Sequence, residues 1–307
     1  MRLVFFGSPD FAVPSLSALV AAGHEIVLVV SQPAKPAGRH GRPSDPAVAR
    51  LAKSLSLPLF QPESLKPDEA VLRLAAARAD LFAVAAYGKI LSRRVLDVPR
   101  LYCVNVHGSI LPRWRGASPV QAAILAGDRT TGVSIMKMEA GMDTGPVFAA
   151  EETAIGEGET AAALGARLAE IGARLLVATL EEPGRVPVPQ DDALATYCPK
   201  ISREDGLVDW TRPAAELVRR ERAFTPWPGL YTFRKKARLK LAGLSRVTEG
   251  PSGEAPGTVV SVSPSLVVAC GDGSVAVGAL QAEGRRRLPA AEFVRGERVD
   301  PGEAWPS

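Results

Sequence analysis

The chain has 307 residues, 46% of them hydrophobic and 23% charged, a composition that excludes a disordered or low-complexity protein and leaves room for two folded domains. A formal net charge of +4 permits a polyanionic partner without requiring one. Cys103, Cys198 and Cys270 are too scattered for a disulfide framework or a metal knuckle, and no apolar run reaches the ~20 residues that span a bilayer. The first residues read as a strand and not as a signal sequence, so a cytoplasmic protein with no membrane contact is expected.

Taken in order, residues 3–6 form a buried-type strand, and Gly7-Ser8-Pro9 turns out of it. Asp10 is expected to cap a helix to about Ala22, with Pro14 in its first turn and Gly23 as its stop. Residues 26–30 are the next strand, and this βαβ opening predicts a Rossmann-like, doubly wound α/β domain. It does not predict NAD, because Pro9 stands where a dinucleotide fingerprint needs its second glycine. Residues 31–43 are too long and too rich in Pro and Gly for an ordinary βα connection. They carry Lys35, Arg39 and Arg42 with no acidic residue, a basic loop suited to a phosphate backbone.

Ser44 or Asp45 is expected to cap a helix over 47–55, followed by a strand at 57–60. Residues 68–79 read as a helix with Val71, Leu72 and Ala75 on one face. A strand over 81–85 ends in Tyr87-Gly88-Lys89-Ile90-Leu91, and a helix begins near Ser92. The central stretch follows: a strand over 101–106, then His107-Gly108-Ser109-Ile110-Leu111-Pro112-Arg113-Trp114-Arg115-Gly116. Ligands of open α/β sheets bind beyond the carboxyl ends of the strands. Asn105 and His107 stand there, two residues apart and therefore on one face. An amide donor and an imidazole aimed into one crevice suit acyl transfer.

A helix from Ser118 to about Leu125, a strand over 131–138 and a Gly-flanked loop over 139–145 come next. Asp143, between Gly141 and Gly145, is a carboxylate able to orient or charge His107. Residues 147–150 are a strand, and a helix capped by Thr160 carries an apolar stripe of Leu164, Leu168, Ile171 and Leu175. Residues 181–195 are Pro-rich and acidic, which is linker composition. The expected division is a catalytic domain over 1–190, a linker over 191–209 and a second domain over 210–307. That second domain opens with a helix over 213–222 and continues as short strands, at 230–233, 239–244, 258–262, 266–269 and 275–279, which predict a small OB-like β-barrel. Arg234, Lys235, Lys236, Arg238 and Lys240 cluster in it, and Arg285, Arg286 and Arg287 form a second basic run.

These motifs together resemble the methionyl-tRNA formyltransferase family of folate-dependent formyltransferases. The resemblance runs end to end. It is carried by Phe6-Gly7-Ser8-Pro9-Asp10-Phe11, the Gln32-to-Arg39 segment, Ala86 to Leu91, the Asn105-to-Gly116 stretch, Met138 to Gly145, Asp205-Gly206 with Asp209-Trp210, and Pro226-Trp227-Pro228-Gly229. It implies transfer of the formyl group of 10-formyltetrahydrofolate to the α-amine of methionine on initiator tRNA, with no metal. It implies Asn105, His107 and Asp143 as the catalytic trio. It implies Ser109, Ile110, Leu111, Pro112, Tyr87, Gly88 and Ile90 as folate contacts. Lys35, Arg39, Arg42, Arg234, Lys235, Lys236 and Arg238 then fall to the tRNA, and a monomer is expected. The same trio would serve a small amine such as an amino-sugar nucleotide, and a catalytically silent RNA-binding protein is the reading from another class. An imidazole, with an ordinary pKa of about 6.5, suits the proton transfers. Either His107 or Asp143 could take the amine proton.

Overall fold

The computed structural model describes residues 1–37, 42–182, 184–247 and 253–306. The chain divides into two compact units. The first takes in Met1–Val120, Arg129–Ile155 and Ala163–Pro199, and the second takes in Gln121–Asp128, Gly156–Ala162 and Lys200–Ser307.

The elements of the first unit begin with β1 (Arg2–Gly7), α1 (Val13–Ala21) and β2 (Glu25–Val30), then a short antiparallel pair, β3 (Lys35–Ala37) and β4 (Arg42–Ser44). After α2 (Ala47–Ser54), β5 (Leu59–Phe60), α3 (Asp68–Ala76), β6 (Leu81–Ala85) and α4 (Arg93–Leu96) comes the central strand β7 (Tyr102–His107). It leads to β8 (Arg115–Gly116), then past α5 (Pro119–Ala126), most of which falls in the second unit, to β9 (Thr130–Lys137), β10 (Val147–Ala154), α6 (Ala161–Leu180) and β11 (Tyr197–Cys198). The main sheet runs in the order β10-β9-β7-β6-β1-β2-β5. It is parallel from β5 through β7, and β9 runs antiparallel to both its neighbours. This is the Rossmann-like α/β sheet expected, with the strand order reversing at β1. The carboxyl ends of β1, β6 and β7 therefore border the switch-point crevice.

Apolar alternation explains the packing. On one sheet face Val4, Phe6, Leu28, Phe82, Val84 and Cys103 join Ala70, Leu74 and Tyr87 in a continuous core. The Phe6 ring lies 5.2 Å from Phe82 and 5.4 Å edge-on from Tyr87. Gly172 of α6 presses on Val106 and Val133, so Val104 and Val106 face α6 and Cys103, Asn105 and His107 face the other way. The loops after β1, β2 and β6 are stitched together: the Tyr87 carbonyl accepts from Gln32 Nε2 at 2.8 Å and from Ser8 Oγ at 3.4 Å.

Several local expectations are corrected. Asp10 caps no helix; Pro9 leads into a 3-10 turn over Asp10–Ala12, and α1 starts at Val13. Pro46, whose extended ψ suits the position, precedes α2, while the Asp45 carboxylate instead takes Lys53 Nζ and Gln61 Nε2. Those two donors hold Asp45 below the usual carboxylate range. On α3 Ala70 and Leu74 are buried and Val71 packs against the same core, while Leu72 is 68% exposed. Residues 188–198, which read as linker, are tied down: Val188 and Val147 exchange both backbone hydrogen bonds at 2.8 Å, and β11 pairs with β8.

The second unit contains α7 (Ala214–Phe224), β12 (Leu230–Arg234), β13 (Ala237–Val247), β14 (Val259–Ser261), β15 (Leu266–Cys270), β16 (Gly273–Ala282), β17 (Leu288–Pro289) and α8 (Ala290–Glu297). Its antiparallel sheet runs β12-β13-β16-β15-β14, with β17 on β16. Trp210, Trp305, Leu217, Phe224, Leu239, Val268 and Phe293 are buried. Among the described residues no helix is long and apolar enough to cross a membrane.

Candidate functional site

β7 places Asn105 and His107 on one face at its carboxyl end, opposite Met136 and Ser134 of β9. The His107 ring is buried, at 5% exposure, and its Nε2 lies 2.9 Å from the carbonyl oxygen of Trp114. A carbonyl only accepts, so that contact assigns the proton to Nε2. Nδ1 is then the free lone pair of the neutral ring, and it faces Asp143 Oδ2 at 3.7 Å. That separation is too long for a direct hydrogen bond but short enough for an ion pair once Nδ1 is protonated. The Asn105 side chain is half-buried, and among the described residues nothing hydrogen-bonds its amide. An unengaged carboxamide beside an oriented imidazole and a carboxylate can meet a carbonyl oxygen and relay a proton.

Asp143 reaches this position through a strained loop. It sits at φ 54°, a left-handed conformation unusual for a residue with a side chain. Its Oδ2 accepts the Gly116 backbone N–H at 2.8 Å. Glycine is required at 145, because a Cβ there would overlap the Lys137 carbonyl. The loop is held from outside by two residues that the sequence reading missed. Gln190 Nε2 donates to the carbonyls of Asp143 (2.8 Å) and Gly145 (2.6 Å). Gln190 Oε1 accepts from Arg115 Nε (3.0 Å) and Nη2 (2.9 Å). Arg115, only 1% exposed, also reaches Asp192 at 2.7 Å and the Tyr197 hydroxyl at 3.4 Å. The available signal was Arg115 itself, an arginine inside the motif with no acidic neighbour in sequence. Burial pushes the Cys198 thiol up, so it stays protonated and donates to the Trp114 and Arg115 carbonyls.

The residues assigned to folate fall into two groups. Tyr87 packs its ring in the apolar core, where burial pushes its phenol up to about 12, and it offers no side chain to the crevice. The Ser109 hydroxyl is spent on the Arg113 carbonyl at 2.6 Å, and Leu111 is buried with its N–H on Ser134. Tyr87 and Leu111 are thus buried, and the Ser109 hydroxyl has its proton committed internally while its oxygen can still accept. Ile90 is 86% exposed, Gly88 has φ 77°, and Ile110 and Pro112 are half-buried, with Ile110 lying over Gly132 on the Asn105 side of the sheet.

The basic residues divide as well. Lys35 is exposed, with its ammonium on Gln32 Oε1 at 3.0 Å. Arg39 lies outside the described residues, and for Arg42 only the backbone pairing with Ala37 is described. Arg234 is a correction. Its side chain is 6% exposed and forks onto Glu303 (2.6 and 3.1 Å), with Glu297 beside it, so four of its five N–H groups are already engaged in a buried structural ion pair. Lys235 and Lys236 form the two-residue turn between β12 and β13, both exposed and both left-handed, at φ 48° and 64°. Arg238 lies over the Tyr231 ring, 3.5 Å from its centroid.

The comparisons with known proteins bear on this geometry. A formyl transferase family model matches residues 1–180, and the model of the formyl transferase C-terminal domain matches residues 200–298. The chain is 46% identical over 304 residues to a methionyl-tRNA formyltransferase of Thiobacillus denitrificans, covering 98% of each chain. It is 48% identical over 297 residues to one of Cereibacter sphaeroides, covering 96% of each. HypX from Aquifex aeolicus, solved in complex with tetrahydrofolic acid, superposes with a TM-score of 0.65 at 17% identity. That match covers all of this chain and 51% of HypX, about half its length, and speaks to the fold.

Proposed function

The chain belongs to the methionyl-tRNA formyltransferase family, and on that footing we propose that it transfers the formyl group of 10-formyltetrahydrofolate to the α-amine of methionine esterified to initiator tRNA. The observation that carries the chemistry is the unengaged Asn105 amide beside a His107 ring whose free lone pair faces Asp143. Each turnover forms one C–N bond and breaks another. One proton leaves the attacking amine and one reaches the departing nitrogen. The folate supplies a formyl carbon already activated as an amide, so no covalent enzyme intermediate is needed. The residues present fit such a donor: a carboxamide for its oxygen, with exposed Ile90 and half-buried Ile110 and Pro112 as apolar surface for its rings.

Asn105 donates to the oxygen as negative charge gathers there, an interaction of the kind worth about 2.7–4 kcal/mol of barrier. His107 Nδ1 accepts the amine proton and then gives a proton to the departing nitrogen, which returns the ring to its neutral form. The imidazolium keeps Nε2–H on Trp114 and turns its new N–H toward Asp143, whose carboxylate offsets the charge. Asp143, already bound to the Gly116 N–H, acts by orientation and charge. Lys35, Arg39, Arg42, Lys235, Lys236 and Arg238 meet the tRNA backbone. The first unit, with residues 191–198 packed into it, carries the chemistry, and the segment from Lys200 onward binds RNA, in a cytoplasmic monomer whose cysteines are free and buried.

The test is formylation of charged initiator tRNA against an amino-sugar nucleotide over a range of salt concentrations. Activity on the tRNA that falls steeply with salt is expected. Activity on the sugar amine alone overturns the proposal.

A further inference from the structure

We propose that Gln190 is a positioning residue for the transfer reaction, setting the register of the Asp143 loop through a brace that ends on buried Arg115. The inference rests on the reading of Asp143 as a member of the site. The bridge between Val147 and Val188 fixes the chain two residues before Gln190. From there the Gln190 amide uses all of its hydrogen-bonding capacity. Its two N–H groups go to the carbonyls of Asp143 and Gly145, and its oxygen takes the Nε and Nη2 of Arg115. Rotating the amide would set its N–H groups against the guanidinium and its oxygen against two carbonyls, so only one orientation is tolerated.

Arg115 is a rigid far end. It is buried, its backbone pairs with Tyr197 in the β8–β11 ladder, and the guanidinium is also bound by Asp192 and Tyr197. The next residue, Gly116, supplies the N–H that holds Asp143 Oδ2. One short segment therefore grips the Asp143 carboxylate directly and, through Gln190, grips its main chain. The left-handed backbone at Asp143 has to be maintained by surrounding contacts. Gln190 makes two of them, on the carbonyl of Asp143 itself and on that of Gly145. Glutamate in its place would keep the Arg115 contacts but confront both carbonyls with an oxygen. Methionine would keep the length and drop both sets.

The experiment uses the full chain with Gln190→Glu and Gln190→Met, both at a half-buried position where folding is expected to survive. A thermal melt accompanies the kinetics. A misplaced catalytic group lowers kcat by about 10- to 100-fold, while KM for charged tRNA stays within about twofold because binding contacts are untouched. In the Asp143→Asn background either change at Gln190 costs no further rate, since the group being placed is already gone. The inference is overturned if Asp143→Asn is slow while both Gln190 variants turn over like the wild type. It is equally overturned if their losses merely track the folded fraction, or if they add fully to Asp143→Asn. Should Asp143→Asn itself turn over normally, the site reading fails, and that failure shows without any Gln190 variant.

Discussion

Replacing Asn105 by alanine separates transition-state stabilisation from binding and from folding. The amide has no hydrogen-bond partner among the described residues, so alanine orphans nothing. Its neighbours across the sheet, Val84 and Met136, keep their own packing. The stability change should therefore stay within about 1 kcal/mol. The donor is needed only when the oxygen gains charge. Losing one such donor raises the barrier by about 2.7–4 kcal/mol. At about 1.36 kcal/mol per decade this is a 10²- to 10³-fold fall in kcat. Single-turnover formylation at saturating folate and charged tRNA reads this directly, with KM for each substrate and a melt measured alongside. A variant that turns over normally with a weakened KM would show that Asn105 positions substrate and nothing more. A large loss of stability would show that its amide has a structural partner after all.

Two further perturbations test the folate and RNA assignments. Tyr87→Phe removes a buried hydroxyl with no partner among the described residues. Stability should hold or rise by about 1 kcal/mol, with unchanged kinetics, and a raised KM for folate would mean that the hydroxyl reaches the donor. Lys235→Asn with Lys236→Gly puts the favoured residues of a left-handed two-residue turn between β12 and β13. The protein should gain about 1–2 kcal/mol in a denaturant titration. It should also bind tRNA less tightly, with a log–log salt slope shallower by about 1–2. An unchanged slope would remove these lysines from the RNA contact.

Local rules make the reactive pair visible in the sequence and hide what holds it. Asn105 and His107 are legible because a strand alternates and its end faces the crevice. Asp143 is legible because glycines bracket it. Gln190 is not, because the contacts that give it meaning join positions 45 to 75 residues apart, and its Pro-rich surroundings mimic a free linker. Arg234 misleads for the converse reason: a run of basic residues does not say which of them turns inward to meet Glu303. The inward face of α3 is only partly legible, because a nine-residue helix rich in alanine offers two overlapping stripes: Val71 packs as expected, and the sheet beneath selects Ala70 and Leu74 over Leu72 and Ala75. The strands of the second unit followed from their spacing. β17 and α8 are absent from the sequence reading, which assigns no element after residue 279 and notes only the basic run at Arg285, Arg286 and Arg287.

The most direct measurement is the pre-steady-state rate at which labelled formyl passes from 10-formyltetrahydrofolate to charged initiator tRNA in the wild type and in His107→Ala, both substrates saturating. If the imidazole relays the amine proton, the variant loses at least about 10²-fold in the transfer step while still binding tRNA. Transfer at the wild-type rate without that ring would contradict the account.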